Sequence, residues 1–179
     1  MTNTQTQRYS AASIGMHWLM VLAFIGLYVA VNLIDVFPKG SDGRALAKSV
    51  HLSLGLTVFG LVWLRLLFRA LGSVPPIRPA PPAWQEKSAK LLHLALYGLM
   101  VAMPLLGWLA QSAFGKPVAI FGLLLPALIA ENKELGRTVM GIHELGGNVG
   151  YLLIGGHAVA ALFHHYVLKD NTLRRMLPK

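Results

Sequence analysis

Seven histidines and no cysteine define the chemistry open to this chain of 179 residues. Three of the histidines, His143, His157 and His164, lie along one apolar stretch, 141–166, that is long enough to cross a bilayer. Ionisable groups inside a membrane helix cost free energy unless they find partners, so they mark function by default. At about 100° per residue, the step from His143 to His157 leaves these two about 40° apart in azimuth and about 21 Å apart along the axis. His164 follows one heptad later, on nearly the same face and about 10 Å further on. Two imidazoles therefore look into one interior at two depths, with a third beyond them. The lack of cysteine excludes iron–sulfur clusters, disulfides and covalently attached c-type haem.

The elements that must carry these groups are membrane helices. At 55% hydrophobic and 13% charged, the chain has too few polar residues to cover a soluble globule of its size. Four apolar stretches, about 14–34, 50–71, 91–113 and 141–166, each reach the roughly 20 residues needed to span. The polar residues 1–10 and the long first stretch, which ends without a small-x-small site, argue for a retained first helix rather than a cleaved signal.

Four spans put both termini on one side. Ten Lys and Arg lie at the termini and the second connection, six on the other side, so the termini are expected to be cytoplasmic. The net charge of +9 is thus explained by orientation at the membrane lipid, not by nucleic acid, since the basic residues sit at helix ends. The second connection, with Pro75-Pro76, Pro79 and Pro81-Pro82, reads as an extended cytoplasmic strap. In the third connection, 120–130 is apolar, too short to span and broken by Pro126, and reads as an interfacial or lid segment. No repeat or soluble domain is visible, and one all-α four-helix bundle is expected.

This topology pairs the histidines by depth. Helix 2 and helix 4 both enter from the outer side, which places His51 level with His143, while helix 1 enters from the inner side and places His17 level with His157. Each pair joins two helices across the bundle, as haem iron requires of two axial imidazoles. Zinc usually takes three or four protein ligands at one centre, whereas a flat macrocycle needs two ligands and room. Gly55, Gly146, Gly147 and Gly150 offer that room. The competing readings are interhelical hydrogen-bonding histidines and a histidine-rich metal transporter, which would need more ligands at one depth. His93 has no outer counterpart and is expected to hydrogen-bond or to contact a propionate. His165 points about 100° away from His164, towards headgroups or the loop.

His17-Trp18, His51, Gly115-Lys116-Pro117-Val118, Phe121-Gly122, and above all His157-Ala158 running on to His164-His165-Tyr166 and Lys169-Asp170-Asn171-Thr172-Leu173-Arg174-Arg175-Met176 give the chain its resemblance to the bacterial cytochrome b561 family. The similarity covers essentially residues 1–179, as a single transmembrane domain, and is closest to the superoxide oxidase branch. It implies a multi-pass inner-membrane protein with two haem b groups inside the bundle and His17, His51, His143 and His157 as iron ligands. For that branch it implies oxidation of superoxide at the periplasmic face and reduction of ubiquinone in the membrane. Other relatives implied by the resemblance are electron-transfer subunits that link a dehydrogenase or hydrogenase partner to the quinone pool.

For superoxide, a positive field near the outer pair is required, and Lys39, Arg44, Lys48 and Lys116 are the candidates; ordinary headgroup contact is the alternative for each. For quinone, a proton donor is required, and His164, two turns beyond His157, is preferred to Lys87, Lys90 or His93. Headgroup contact is again the alternative for His164.

Overall fold

The computed structural model describes residues 8–178, so residues 1–7 of the polar N-terminus and Lys179 of the basic C-terminus lie outside the described residues. Four helices form: α1 (Ala11–Val36), α2 (Asp42–Leu71), α3 (Ala83–Ala113) and α4 (Lys133–Tyr166). Each is long and apolar enough to cross a membrane. The chain is an all-α membrane four-helix bundle.

Local chemistry sets where the helices start. Ser10, Ser41 and Asn132 each accept a hydrogen bond from the backbone N–H three residues on, satisfying a donor that the first helical turn leaves open. Helices α3 and α4 begin well before the apolar stretches at 91 and 141. Polar residues such as Gln85, Glu86 and Lys87, or Glu134 and Arg137, propagate a helix that is already nucleated at the membrane, and only the apolar part can lie in hydrocarbon. Pro104 sits inside α3, where it removes one backbone hydrogen bond.

The helices pack as α1 along α2 and α3 along α4, with α2 against α3 closing the pairs. Met20, Val58, Val62 and Met100 form the core of that seam. By contrast α4 keeps its close backbone approach for α3 and meets α1 and α2 chiefly through side chains. Many of the most exposed large hydrophobics, among them Leu22, Leu71, Leu94 and Leu152, are helical, as expected of surfaces that face lipid, and others, Phe121, Leu123 and Leu124, lie on the hairpin.

The third connection is more ordered than an apolar, proline-broken segment suggests. It forms a two-stranded antiparallel hairpin, β1 (Val118–Ile120) and β2 (Leu123–Leu125), with Ile120 opposite Leu123. The two turn residues, Phe121 and Gly122, have φ of 48° and 89°, the sign pattern of the tight turn that matches strand twist. A phenylalanine in the left-handed region is strained, and here its N–H donates to Ser53 Oγ at 3.1 Å, on a serine buried in α2. Trp108 Nε1 donates to the Pro126 carbonyl at 3.1 Å and ties the hairpin's exit to α3.

At the opposite end the two termini meet. Tyr9 N–H donates to the Arg175 carbonyl at 3.1 Å, and Trp18 Nε1 donates to the Met176 carbonyl at 2.7 Å. Asn171 exchanges bonds with the 75–79 strap: its N–H donates to the Arg78 carbonyl and its Oδ1 accepts from Arg78 N–H at 2.8 Å. The C-terminal segment, with a short 3-10 turn at Arg174–Met176, therefore folds under the bundle between α1, the strap and the end of α4.

Candidate functional site

At the hairpin end, the rings of His51 on α2 and His143 on α4 face each other with centroids 6.1 Å apart and planes at 82°. Their Nδ1 atoms lie 3.4 Å from the Leu27 carbonyl and 3.0 Å from the Met103 carbonyl respectively. A carbonyl only accepts, so in the neutral rings Nδ1 carries the proton and Nε2 keeps its lone pair. That is the tautomer, and the backbone support, characteristic of a metal-binding histidine.

At the terminus-bearing end, His17 on α1 and His157 on α4 face each other with centroids 6.2 Å apart and planes at 79°. His93 on α3 also reaches His157, at 5.4 Å between centroids. Two trans imidazoles sharing one metal, with bonds of about 2 Å, put their centroids roughly 6.3 Å apart. The His51–His143 and His17–His157 separations fit that requirement, and the His93–His157 separation falls short. Among the described residues no group of three or more His, Cys, Asp or Glu is arranged to hold a metal ion, so the cluster does not provide a zinc-type centre.

The two pairs differ in one respect. Arg65 Nη1 lies 2.9 Å from His17 Nδ1, and its Nε donates to the Tyr97 hydroxyl at 3.3 Å. A guanidinium has donors only, so His17 Nδ1 accepts and Nε2 carries the proton. Ligation through Nε2 requires Arg65 to turn away from Nδ1. Arg65 enters the sequence reading only as a charge that orients the chain. Its place within α2, next to apolar neighbours, is the signal that marks an intramembrane ionisable group.

A cavity of about 620 Å³ opens around the His51–His143 pair, within the roughly 300–1,000 Å³ of small-molecule and cofactor sites. Its walls are largely apolar, with Leu52, Leu99 and Met100 among them. Gly55, Gly107 and Gly147 line it too, whereas Gly146 and Gly150 serve helix packing: a Cβ there would strike Met103 Sδ and the Tyr28 hydroxyl. Tyr28, Asn32 and Tyr151 form a polar bridge between α1 and α4 on another wall. Tyr28 OH donates to the Gly147 carbonyl at 3.1 Å, and Asn32 Nδ2 donates to Tyr151 OH at 2.6 Å. Periodicity does not reveal this bridge, because tyrosine and asparagine are unremarkable on a membrane helix until their partner is known.

Arg44, Lys48 and Lys116 all line the cavity, as do Asp35 and Glu144, while Lys39 is exposed and does not line it. The Arg44 guanidinium is occupied by the Ile34 and Phe37 carbonyls and by Asp35 at 3.9 Å. Among the described cations that line the cavity, Lys48 and Lys116 make no hydrogen bond or ion pair, though Lys116 Nζ lies 5.2 Å from the centre of the Phe114 ring. His164 stands apart from both pairs, at the end of α4, against Asp170. Lys87 and Lys90 are exposed in the first turns of α3.

Gly107 is the tightest test of the hairpin-end pair, since a Cβ there would lie 3.1 Å from His143 Cε1. Gly107→Val is expected to displace that ring and lower the haem content of the purified protein, measured as pyridine haemochrome, while Gly60→Ala, at an exposed position away from the cavity with open space around it, leaves it unchanged.

Comparison with known proteins places the chain in a family. Residues 8–179 match the family model described as prokaryotic cytochrome b561. The chain is 41% identical over 172 residues to cytochrome b561 homolog 1 of Escherichia coli, covering 96% of this chain and 98% of that protein. It is 36% identical over 173 residues to a protein of Yersinia pestis named probable superoxide oxidase CybB, covering 97% of each. It is 35% identical over 182 residues to cytochrome b561 homolog 2 of E. coli, covering 99% of this chain and 95% of the relative. Because the likeness runs through all four helices and does not stop at one motif, the chain belongs to the prokaryotic cytochrome b561 family, as a haem b electron-transfer protein of the bacterial inner membrane.

Proposed function

We propose that this protein is a superoxide:quinone oxidoreductase with two haem b groups, one between His51 and His143 and one between His17 and His157. The observation that carries this reading is the pair of facing imidazoles at each end of α4, with centroid separations of 6.1 and 6.2 Å. The positive-inside bias supports placing the terminus-bearing end in the cytoplasm and the hairpin end in the periplasm. Haem b, when bound, supplies a one-electron relay between the two faces.

The chain's own residues do the rest. Lys48 and Lys116 at the cavity mouth gather the superoxide anion. The apolar walls exclude water from the relay, and the backbone carbonyls of Leu27 and Met103 fix the two hairpin-end imidazoles. At the far end, His164 Nε2 delivers protons to a ubiquinone oxygen from within the membrane boundary. The balance is that two superoxide ions each lose one electron and leave as dioxygen, while the quinone takes two electrons and two protons to become quinol. The identity to the relative named probable superoxide oxidase supports the choice of substrate.

The test is superoxide consumption by the purified full-length holoprotein, followed by stopped flow with and without a short-chain ubiquinone. Consumption faster than spontaneous dismutation, with quinol formed, is expected. The Lys48→Gln, Lys116→Gln double variant should slow the second-order step by about tenfold and flatten its dependence on ionic strength, since steering charges act through rate. No consumption above dismutation would instead favour an electron-transfer subunit fed by a dehydrogenase or hydrogenase.

A further inference from the structure

α4 ends at Tyr166, and the chain then turns back on itself. Val167 still has a helical conformation, and Lys169 adopts φ of 53°, a left-handed value that side chains other than glycine rarely take. This reversal brings Asp170 beneath the last turn of the helix, where its N–H donates to the His164 carbonyl at 3.1 Å. The side chain does more than cap. Its Oδ2 lies 2.5 Å from His164 Nδ1, and its Oδ1 accepts from Thr172 N–H at 2.8 Å. Asp170 is only 2% exposed. A carboxylate is rarely buried so completely without a specific partner, and capping alone would need neither the burial nor the ring contact.

The neighbouring histidine provides a control within the same turn. His165 Nδ1 is buried with no partner, so a histidine at this level does not acquire one by default. Among the described residues, His164 is the only histidine within ion-pair distance of a carboxylate. The other charged or titratable groups gathered here are Arg175, whose guanidinium meets the Pro75 carbonyl, and Tyr9, whose ring lies under that guanidinium.

We propose that Asp170 is the positioning residue for His164: its carboxylate holds the Nδ1 proton, so that Nε2 is the atom presented to the quinone oxygen. This inference rests on the role of His164 proposed above. The logic is that of an acid behind a histidine, which fixes the tautomer and stabilises the imidazolium that forms each time Nε2 takes up its next proton from water. Two such cycles supply the two protons of the quinol, and Asp170 keeps its charge throughout. Burial pushes the Asp170 carboxyl up, but the hydrogen bonds from His164 and Thr172 outweigh it and hold the group below the usual carboxylate range.

The experiment uses the holoprotein and compares Asp170→Asn, His164→Ala and the double variant in quinone reduction, with haem content and thermal midpoint measured for each. Asp170→Asn is expected to keep both haems, lose at least about tenfold in kcat with a much smaller change in quinone KM, and move the limb on which turnover falls with rising pH to lower pH. In the His164→Ala background, Asp170→Asn should cost nothing further in kcat. A wild-type rate in Asp170→Asn beside a slow His164→Ala would overturn this inference and leave the role of His164 standing. A wild-type rate in His164→Ala would remove both. Additive losses in the double variant would show that Asp170 acts apart from His164, and would also overturn it. Should Asp170→Asn fail to fold, ¹⁵N-histidine spectra of the reduced wild-type protein decide, with His164 assigned by its loss in His164→Ala. Neutral His164 protonated at Nδ1 is expected, and a neutral ring protonated at Nε2 and not at Nδ1 overturns the inference.

Discussion

On the proposed two-haem assignment, replacing His143 by alanine is expected to leave a folded protein with one haem per chain in place of two, and to reduce superoxide-driven quinone reduction by at least about a hundredfold. The loss is large because the site has no substitute ligand. Among the described residues the imidazole ring that faces His51 is that of His143, at 6.1 Å. The rest of the cavity wall is largely apolar, and its polar groups, such as Lys48, Lys116, Glu144 and the Tyr28, Asn32 and Tyr151 bridge, include no further imidazole. An iron with one protein ligand is held far more weakly than one with two, so the haem would leave on purification. Electron transfer falls steeply with distance, and the anion would then meet the protein far from the remaining haem. The fold should survive, since His143 is bonded through the Met103 backbone carbonyl, which water can satisfy at a cost of about 1 kcal/mol. Pyridine haemochrome and stopped-flow turnover are the measurements; two retained haems would remove His143 from the ligand set.

His17→Ala and His93→Ala are expected to part company, and this contrast is the second large effect. Both rings touch the space around His157, but only His17 stands at a separation that admits a shared metal, 6.2 Å against 5.4 Å for His93. On the same proposed assignment, His17→Ala should lose the terminus-end haem, with about half the haemochrome and no quinol formed, while His93→Ala keeps both. Redox potentiometry of His93→Ala is expected to show a shifted potential of one haem, the trace of a lost neighbour. Arg65 sharpens the comparison. It occupies His17 Nδ1 with a donor, so ligation through His17 Nε2, as proposed, would require that guanidinium to move. Loss of haem in His93→Ala with retention in His17→Ala would reverse the assignment.

The depth argument could be made from sequence because helix geometry is rigid: four spans and a 100° step fix which histidines share a level, whatever the helices pack against. The rings of His51 and His143, and of His17 and His157, do meet. What sequence could not supply was the third dimension. His93 lies on α3, and only the packing of α3 along α4 brings it to His157. Arg65 was visible but ambiguous, since an arginine near the end of a span can equally reach headgroups; its direction depends on which face of α2 meets α1. The apolar, proline-broken stretch at 120–130 could not disclose a hairpin, because three-residue strands carry too little periodicity to register. Asp170 depended on a reversal at Lys169, a residue type that gives no hint of a left-handed backbone.

One feature of the bundle governs how the protein is made. Both imidazole pairs take one member from α4, the last of the four helices to be synthesised, and the other from α1 or α2. Neither pair exists while the first three helices are entering the bilayer, however well they are packed. The segment after α4 then ties Met176 to Trp18, the residue beside His17, and so closes the chain onto its first helix. On the proposed ligand assignment, cofactor acquisition would wait for α4, and a nascent chain arrested before it would be a membrane protein without a redox centre.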